Sequence, residues 1–351
     1  MNPMMSKRFL WLHKVGIPEK FYFMLFFCIL FLFLTNCSSR KNNVINSVTG
    51  PVTVSPGEIW LSHEHLLVDF IGADSIDPKR WNHDSVINAM LNNLEEIKPH
   101  NVKYFVDATP AYLGRDVLLL EKIAKKTGLT IITNTGFYGA VNNKYVPSFA
   151  FDKTAEELAE IWINEFKNGI DGTSVKPGFI KISVDASDTL DTIDQKLVKA
   201  AAITHLQTGL TIASHTGEAK GLWPQLKILK VMNVSPKAFI WVHAQNEKDN
   251  NNYLLAAKEG CWISLDGLGW ELEKHIGKIV FAKEHKILDR ILISHDAGWY
   301  DPQKQVQKVK PYTNIFKQLY PELMSKGFSK EEFNLLISQN PSKAFSISIK
   351  R

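Results

Sequence analysis

The sequence predicts an α/β fold in which eight parallel strands alternate with helices and close into a single (β/α)8 TIM barrel. The chain has 351 residues, of which 45% are hydrophobic and 22% charged, which suits one large globular domain and excludes wholesale disorder. From residue 58 onward, short apolar stretches rich in β-branched residues alternate with amphipathic ones, the pattern of βα units around a parallel sheet. Neither GxGxxG nor GxxxxGK(S/T) occurs, which argues against the main rival, an open nucleotide-binding sheet.

Each predicted element follows from its own pattern. The strands are short, mainly apolar runs, and they fall at 58–61, 102–107, 129–133, 179–183, 210–214, 239–242, 261–265 and 291–294. The helices have apolar residues at helical spacing, and they fall at 86–98, 115–126, 154–167, 192–207, 222–231, 252–258, 273–285 and 313–326. Extra length at 136–152 and 297–311 predicts long loops after strands three and eight, at the barrel end that usually holds the active site.

The first 56 residues are predicted to be an export signal followed by a tether. Residues 21–34 are an unbroken apolar run behind a basic stretch, and 14 residues are too few to span a bilayer, which takes about 20. The segment ending Leu34-Thr35-Asn36-Cys37 resembles a bacterial lipobox. We expect a lipoprotein signal peptide at 1–36, a flexible tether at 37–56 and the catalytic barrel at 57–348. The protein would then be lipid-anchored through Cys37 in the bacterial cell envelope, facing the periplasm or the cell surface, and an uncleaved anchor helix is the alternative.

Charge and cysteine content exclude several classes of protein. The net charge is +5, and residues 1–36 contribute +3 of it, so the rest of the chain carries only +2. That is too little to indicate binding to nucleic acid. The three cysteines, Cys28, Cys37 and Cys261, lie far apart without a CxxC pair, which excludes a disulfide scaffold and a thiolate zinc site. The sequence leaves a homodimer open.

Polar residues close several of the predicted strands at their carboxyl ends, where barrel enzymes place their chemistry. These residues are His63 and His65 on strand one, Lys181 within strand four, His215 on strand five, His243 on strand six, and His295 with Asp296 on strand eight. Because alternate side chains of a strand share a face, His63 and His65 point the same way and Glu64 points the other. Imidazoles and a carboxylate from four strand ends predict a metal site.

Lys181 lies in the middle of an apolar strand, where an isolated ammonium is costly unless it is paired or neutralised. Three states are open to it: a salt bridge with Asp107 or Asp185, a Schiff-base nucleophile, or carboxylation by CO2 to a carbamate that bridges two metals. Four nearby imidazoles and a carboxylate favour the carbamate.

These motifs resemble the metal-ligand series of the phosphotriesterase family in the amidohydrolase superfamily. The matching segments are His63-Glu64-His65, Lys181 in GFIKIS, His215 in ASHTG, His243 in WVHAQNE, Asp296 in ISHDAGWY, Asp107-Ala-Thr109, Gly114-Arg115-Asp116-Val117, Thr135-Gly136-Phe137-Tyr138 and Asn340-Pro341. Order and approximate spacing agree over about 58–345. The resemblance implies a distorted (β/α)8 barrel and two divalent metal ions, usually Zn2+, with Mn2+ or Co2+ possible.

The resemblance also implies a division of labour in the site. One metal would be held by His63, His65 and Asp296, and the other by His215 and His243, with carboxylated Lys181 and a hydroxide as bridges. Asp296 would take the proton of the attacking hydroxide. His295 would either relay that proton outward or orient a ligand.

The expected function is hydrolysis of a small-molecule carboxyl ester, lactone or organophosphate ester. Tyr138, Trp270 and Trp299 are candidates for an aromatic pocket wall, with ordinary packing as the alternative. In several family members a histidine or arginine follows the aspartate that closes strand seven, whereas here Gly267 follows Asp266. Two other functions stay open: a lysine-dependent Schiff-base lyase, and a noncatalytic envelope protein that binds a ligand.

Overall fold

A computed structural model describes residues 43–351 of the protein, which form one compact unit. The predicted signal peptide at 1–36 and the predicted lipidation site Cys37 lie outside the described residues. Within residues 43–351, no helix is both long and apolar enough to cross a membrane.

Twelve strands form in the described part of the chain. They are β1 Val44–Ser47, β2 Gly50–Thr53, β3 Ile59–Leu67, β4 Val102–Asp107, β5 Thr130–Ile132, β6 Asn134–Thr135, β7 Phe179–Ser183, β8 Thr211–His215, β9 Phe239–Val242, β10 Trp262–Leu265, β11 Ile291–Ile293 and β12 Gly298–Tyr300. Each of the eight predicted strands has a counterpart among β3 to β11, with β5 and β6 together at the third position. The predicted α/β barrel class is therefore confirmed.

The barrel strands follow one another in chain order through two parallel sheets. One sheet has the order β12-β3-β4-β5, and the other runs from β6 to β11 without a crossover. Two backbone hydrogen bonds join β3 to the segment after β11. The Asp296 amide donates to the carbonyl of His63 at 3.1 Å, and the His65 amide donates to the carbonyl of Ala297 at 3.0 Å. Because all barrel strands are parallel, their carboxyl ends share one edge.

Eleven α-helical segments pack around the sheets in the described chain. They are α1 His83–Glu95, α2 Val117–Thr127, α3 Phe149–Asp152, α4 Ala155–Asn168, α5 Thr192–Thr208, α6 Ala219–Val231, α7 Asn251–Glu259, α8 Leu272–Glu284, α9 Tyr320–Ser325, α10 Lys330–Asn334 and α11 Asn340–Ala344. The predicted final helix begins with π-helical turns at Ile315–Leu319 and continues as α9.

Several helices begin and end where the side chains cap the backbone. The Asp116 carboxylate accepts from the Leu119 amide at the start of α2, and Asp191 does the same for Asp194 at the start of α5. Gly209 ends α5 with a φ of 75°, a conformation that costs glycine little. Asp116, which belongs to one of the matching motifs, therefore has a structural role at a helix start.

The expectation of a flexible tether at 37–56 is wrong for the residues that the structure describes. Val44–Ser47 and Gly50–Thr53 pair as an antiparallel hairpin. Ile45 and Val48 are buried, and the Val48 amide donates to the carbonyl of Ile131 at 2.9 Å. The apolar residues of this hairpin cover the barrel core, and burial of such side chains outweighs the entropy of an extended linker.

The two predicted long loops contain short elements of their own. The loop after the third strand includes helix α3 and an isolated bridge between Tyr138 and Tyr145. The loop after the eighth strand folds back as β12, which pairs with β3. Both loops therefore lie at the edge where the strands end.

Asp194, in the first turn of α5, is a buried carboxyl group with an unusual environment. One of its oxygens has no hydrogen-bond partner in the described structure, and the other accepts from the Asp185 amide at 3.2 Å. Burial, together with the charges of Asp191 and Asp185, raises the pKa of Asp194 to about 7.

Replacement of Asp194 by asparagine is expected to stabilise the protein at high pH. The pKa of Asp194 is about 4 in the unfolded chain and about 7 in the folded protein. Between these pH values only the folded protein keeps the proton, so the free energy of unfolding of the wild type falls as the pH rises. Asp194→Asn should raise the free energy of unfolding by at least about 1 kcal/mol more at pH 8 than at pH 4. Urea unfolding at pH 4 and pH 8 measures the free energy of unfolding, with Asp188→Asn at an exposed position as the control. An equal effect of Asp194→Asn at the two pH values would contradict the prediction.

Candidate metal centre

Six predicted site residues converge at the carboxyl ends of the barrel strands. The His65 Nε2 and Asp296 Oδ1 atoms are 3.1 Å apart, and the His63 Nε2 atom lies 3.8 Å from the same oxygen. The Lys181 Nζ atom is 3.5 Å from His63 Nε2. The rings of His215 and His243 have centroids 4.3 Å apart, and the His63 and His243 centroids are 5.1 Å apart. All six side chains line one cavity.

The Asp266 carboxylate orients two of the histidines. The His243 Nδ1 atom lies 2.7 Å from Asp266 Oδ1, and His63 Nδ1 lies 3.4 Å from Asp266 Oδ2. Since an ionised carboxylate only accepts hydrogen bonds, the His243 imidazole carries its proton on Nδ1, whereas His63 Nδ1 lies at ion-pair distance from the same carboxylate. The Gln245 amide nitrogen also donates to Asp266, at 3.1 Å. Asp266 is therefore hydrogen-bonded to a predicted ligand histidine.

The other two histidines are oriented in the same way by hydroxyl groups. The Thr109 hydroxyl donates to the carbonyl of Leu67, so it accepts from His65 Nδ1, which lies 2.7 Å away. The Tyr138 hydroxyl lies 2.9 Å from His215 Nδ1. All four imidazoles therefore have a polar partner at Nδ1, and their Nε2 atoms remain for the cavity.

Burial sets the protonation of the cluster. Desolvation, helped by the neighbouring Lys181 ammonium, holds the pKa of His63 well below its usual value, and desolvation does the same for the pKa of His215. The pKa of His243 is raised because the Asp266 charge outweighs burial. Although burial opposes ionisation of Asp266, the charges of His243 and His63 keep its pKa well below the usual range.

Lys181 is buried on β7, and desolvation lowers its pKa to about 8. Within residues 43–351 it forms no ion pair with either proposed partner. Asp107 instead accepts from the amides of Leu66 and Thr109, and Asp185 accepts from those of Val141 and Asn142. The salt-bridge alternative for Lys181 is thus wrong, because both carboxylates are used by backbone amides.

His295 is not brought into the cavity. Its Nδ1 atom lies 2.7 Å from the Glu64 carboxylate, and its Nε2 accepts from the Ile315 amide at 3.1 Å. Both nitrogens are thus occupied on the far side of the strand, in a fully buried position. The expectation that His295 relays a proton from the site or orients a ligand histidine is not met, because neighbouring residues of the chain point to opposite faces.

The backbone is strained at two of the site residues. His243 and Asp296 have φ values of 59° and 50°, in the left-handed region that side-chain-bearing residues seldom adopt. His243 directly follows β9, and Asp296 lies in the short connection between β11 and β12, so both residues stand at the barrel end where the cavity opens. Such strain is typical of functional sites.

A cavity of about 120 Å³ opens above the six side chains. Tyr138 and Trp299 line it, together with a set of mainly apolar residues: Val68, Phe70, Ala108, Pro110, Leu113, Val141 and Tyr145. The third aromatic candidate, Trp270, is not among the lining residues, and its side chain is 55% exposed. Its indole instead donates to the carbonyl of Asp296 at 2.9 Å, and the Lys310 ammonium lies over its ring.

Gly267 occupies the position after Asp266 because there is no space for a side chain. A Cβ atom there would lie 2.7 Å from the Gln245 amide nitrogen and 3.1 Å from the His275 ring. These two side chains fill the place that a histidine or arginine would need.

The donor set fits divalent metal ions. His63, His65 and Asp296 offer ligand atoms within 4.8 Å of one another, a facing arrangement of nitrogen and oxygen donors. His215 and His243, whose ring centroids lie 4.3 Å apart, offer two further imidazoles on the wall of the same cavity. Imidazole and carboxylate ligands with hydrogen-bonded outer partners are what zinc and similar ions bind in proteins.

Reasoning from sequence missed the roles of Thr109 and Glu64. Both residues lie in segments that resemble the family's motifs, Asp107-Ala-Thr109 and His63-Glu64-His65. The signal that was present is position: a polar residue at a strand end, next to residues already expected in the site.

A parallel α/β fold with histidines, a lysine and an aspartate at its strand ends is the arrangement expected of a metal-dependent hydrolase. A model of the phosphotriesterase family matches residues 43–345. The chain therefore belongs to the phosphotriesterase family, and the resemblance drawn from the motifs is confirmed.

Three relatives illustrate what this chain is similar to. An aryldialkylphosphatase from Saccharolobus solfataricus is 30% identical over 301 residues, which cover 82% of this chain and 94% of that protein. A phosphotriesterase homology protein from Escherichia coli is 25% identical, covering 84% of this chain and 100% of that protein. An N-acetyltaurine hydrolase from Rattus norvegicus is 25% identical over 86% of this chain and 98% of that protein.

Thr109→Val is expected to weaken metal binding about 10- to 100-fold, because His65 Nδ1 loses its acceptor while the side-chain shape is kept. Competition with a chromophoric chelator measures the zinc affinity. The matched control is Thr133→Val, since the buried Thr133 hydroxyl has no hydrogen-bond partner in the described chain. Equal zinc affinity in the two variants would show that the Thr109 contact does not support the centre.

Proposed function

We propose that the protein is a binuclear metal-dependent hydrolase that acts on a carboxyl ester, a lactone or an organophosphate ester. The observation that carries this proposal is the shared orientation of four histidines, each with a polar partner at Nδ1 and with Nε2 left for the cavity. A merely structural cluster of imidazoles would have no reason to line one cavity with all four rings and to place a polar partner at Nδ1 of each.

In this proposal His63, His65 and Asp296 hold one metal, and His215 and His243 hold the other. Zn2+ is the ion that suits these ligands best, with Mn2+ or Co2+ as substitutes. When bound, such a metal pair lowers the pKa of water and polarises a carbonyl or phosphoryl oxygen.

Lys181 completes the ligand set as a carbamate. Its pKa of about 8 leaves a useful fraction of neutral amine near pH 7–8, and only the neutral amine reacts with CO2. The amine nitrogen attacks the carbon of CO2, a C–N bond forms, and one proton is released. The product is a carbamate anion, which would pair with the metal cations. The protein then no longer has to bury an unpaired ammonium group.

Asp296 is the proposed general base. Its Oδ1 atom lies 3.1 Å from His65 Nε2 and faces the cavity, where it can accept the proton of the attacking water. The left-handed backbone at Asp296 and the hydrogen bond from Trp270 to its carbonyl fix the direction of this carboxylate. Tyr138 and Trp299 form part of the wall against which the substrate packs.

The test is a substrate panel on the full-length protein loaded with Zn2+, Mn2+ or Co2+: an aryl ester, a lactone, a phosphotriester and, because of the relatives' name, N-acetyltaurine. We expect turnover of an ester, lactone or phosphotriester that EDTA abolishes and added metal restores. Asp296→Asn should lower kcat by about 100-fold or more, because the base is lost. Exposed Asp289→Asn, the matched control, should leave kcat unchanged.

Two results would contradict the proposal: unimpaired turnover in Asp296→Asn, or full activity in EDTA. Hydrolysis of N-acetyltaurine alone would move the substrate class from esters to amides. Metal counting on Lys181→Met supplies a readout apart from activity, and occupancy should fall below the wild-type value if Lys181 is a bridging ligand.

We also propose that the protein is lipid-anchored in the bacterial envelope through Cys37. The proposal rests on the basic stretch, the apolar run at 21–34 and the segment Leu34-Thr35-Asn36-Cys37. Cys37→Ser should block incorporation of a radiolabelled fatty acid, and Cys28→Ser, within the apolar run, is the matched control. Undiminished labelling of Cys37→Ser would overturn the assignment.

A further inference from the structure

The cavity wall contains a left-handed turn made of three residues that are not glycine. Val141, Asn142 and Asn143 have φ values of 63°, 52° and 61°. Asparagine tolerates this region, but valine is branched at Cβ and seldom adopts it, because its Cβ approaches the following carbonyl group. The turn is therefore held by its surroundings rather than by its own preference.

The Asp185 carboxylate holds this turn. It accepts from the Val141 amide at 2.9 Å and from the Asn142 amide at 3.0 Å. The Asn143 side chain donates to Asp191 at 3.0 Å, and the Ala140 amide donates to the Ser183 hydroxyl at 2.7 Å. Because Ser183 ends β7, the strand of Lys181, the turn is tied to the same strand as the proposed metal bridge.

Val141 projects an apolar side chain at the opening of the cavity. It is one of the lining residues, and it is 51% exposed, so it stands at the boundary between the cavity and solvent. A strained, half-exposed valine gains little from packing in the protein alone. Its strain is understandable if the methyl groups contact a ligand.

The chemistry of the wall indicates the kind of group that fits there. Apart from the proposed metal-binding residues, the lining residues are apolar or aromatic, and Lys181 is the only lysine or arginine among them. Along this wall, away from the proposed metal ions, an anionic substituent of a substrate would lose its hydration without gaining a cationic partner. The cavity of about 120 Å³ therefore suits a small, neutral, apolar group.

We infer that Val141 is a specificity-determining residue that limits the length of a neutral apolar acyl or alkyl group on the substrate. Asp185 is a positioning residue that acts through the backbone amides of Val141 and Asn142. This inference rests on the proposed function and deepens it by naming the substrate class: small neutral esters or lactones with a short apolar chain.

Three variants separate the size of the side chain from the strain of the backbone. Val141→Ala shortens the side chain but keeps a Cβ atom in the left-handed region. Val141→Gly removes the side chain and relieves the strain. Lys286→Gly is the matched control, because exposed Lys286 has a φ of 59° but does not line the cavity.

Selectivity is measured in two ways on the metal-loaded full-length protein. The first is kcat/KM for phenyl acetate, butyrate and hexanoate. The second is calorimetric binding of acetohydroxamate and hexanohydroxamate, which chelate metal through the same head group and are compared without turnover. In both series Val141→Ala and Val141→Gly should shift the preference toward the six-carbon chain about tenfold relative to wild type, and Lys286→Gly should shift neither.

Thermal unfolding reports the strain. Val141→Gly and Lys286→Gly should each raise Tm by about 1–3 °C, and Val141→Ala should not raise it. Asp185→Ala should lower Tm and weaken the discrimination between chain lengths, because the turn loses both of its carboxylate contacts.

The outcomes distinguish this inference from the proposed function. If the wild-type protein binds hydroxamates and the Val141 variants keep the wild-type preference, the role of Val141 is wrong and the metal centre stands. If the wild-type protein binds no hydroxamate, the metal centre itself is wrong and the inference falls with it. Tighter binding of hexanohydroxamate than acetohydroxamate by the wild-type protein would also overturn the proposed size limit.

Discussion

The arrangement of the site depends on a buried carboxylate, that of Asp266. It accepts a hydrogen bond from Nδ1 of His243, which follows β9, and lies 3.4 Å from Nδ1 of His63 on β3. A buried charge without partners is costly, and the pKa of Asp266 stays low because these two imidazoles stabilise the ionised form. The hydrogen bond also fixes the tautomer of the His243 ring. Removing either histidine would thus affect the position and charge of the other.

The barrel supplies what this carboxylate needs. Parallel strands in chain order bring their carboxyl ends to one edge, so residues far apart in sequence meet within a few ångströms. The surrounding apolar side chains of β3 to β11 exclude water and lower the pKa of Lys181 and of two histidines by desolvation. Burial therefore stabilises the fold and prepares neutral nitrogen ligands at the same time.

Four residues with strained backbone lie at the same edge. His243, Asp296, Trp299 and Val141 all have positive φ values, and all line the cavity. Left-handed residues cost stability, so their presence here is consistent with a site whose geometry is imposed by hydrogen bonds to neighbouring segments. The hydrogen bonds of Asp185 and Trp270 are examples, since each binds backbone atoms of one of these residues.

Periodicity in the sequence was enough to predict the alternation of strands and helices, because side-chain burial repeats every two residues in a strand and about every 3.6 in a helix. Order along the chain then placed the histidines, Lys181 and Asp296 at one edge. The same alternation rule separates His295 from Asp296, just as it separates Glu64 from His63 and His65. Contacts between distant segments were decided only by the tertiary structure: the hairpin against the barrel core, the Thr109 hydroxyl on a histidine 44 residues away, and the Asp185 carboxylate on the turn at Val141. Such contacts depend on distances that no local pattern encodes.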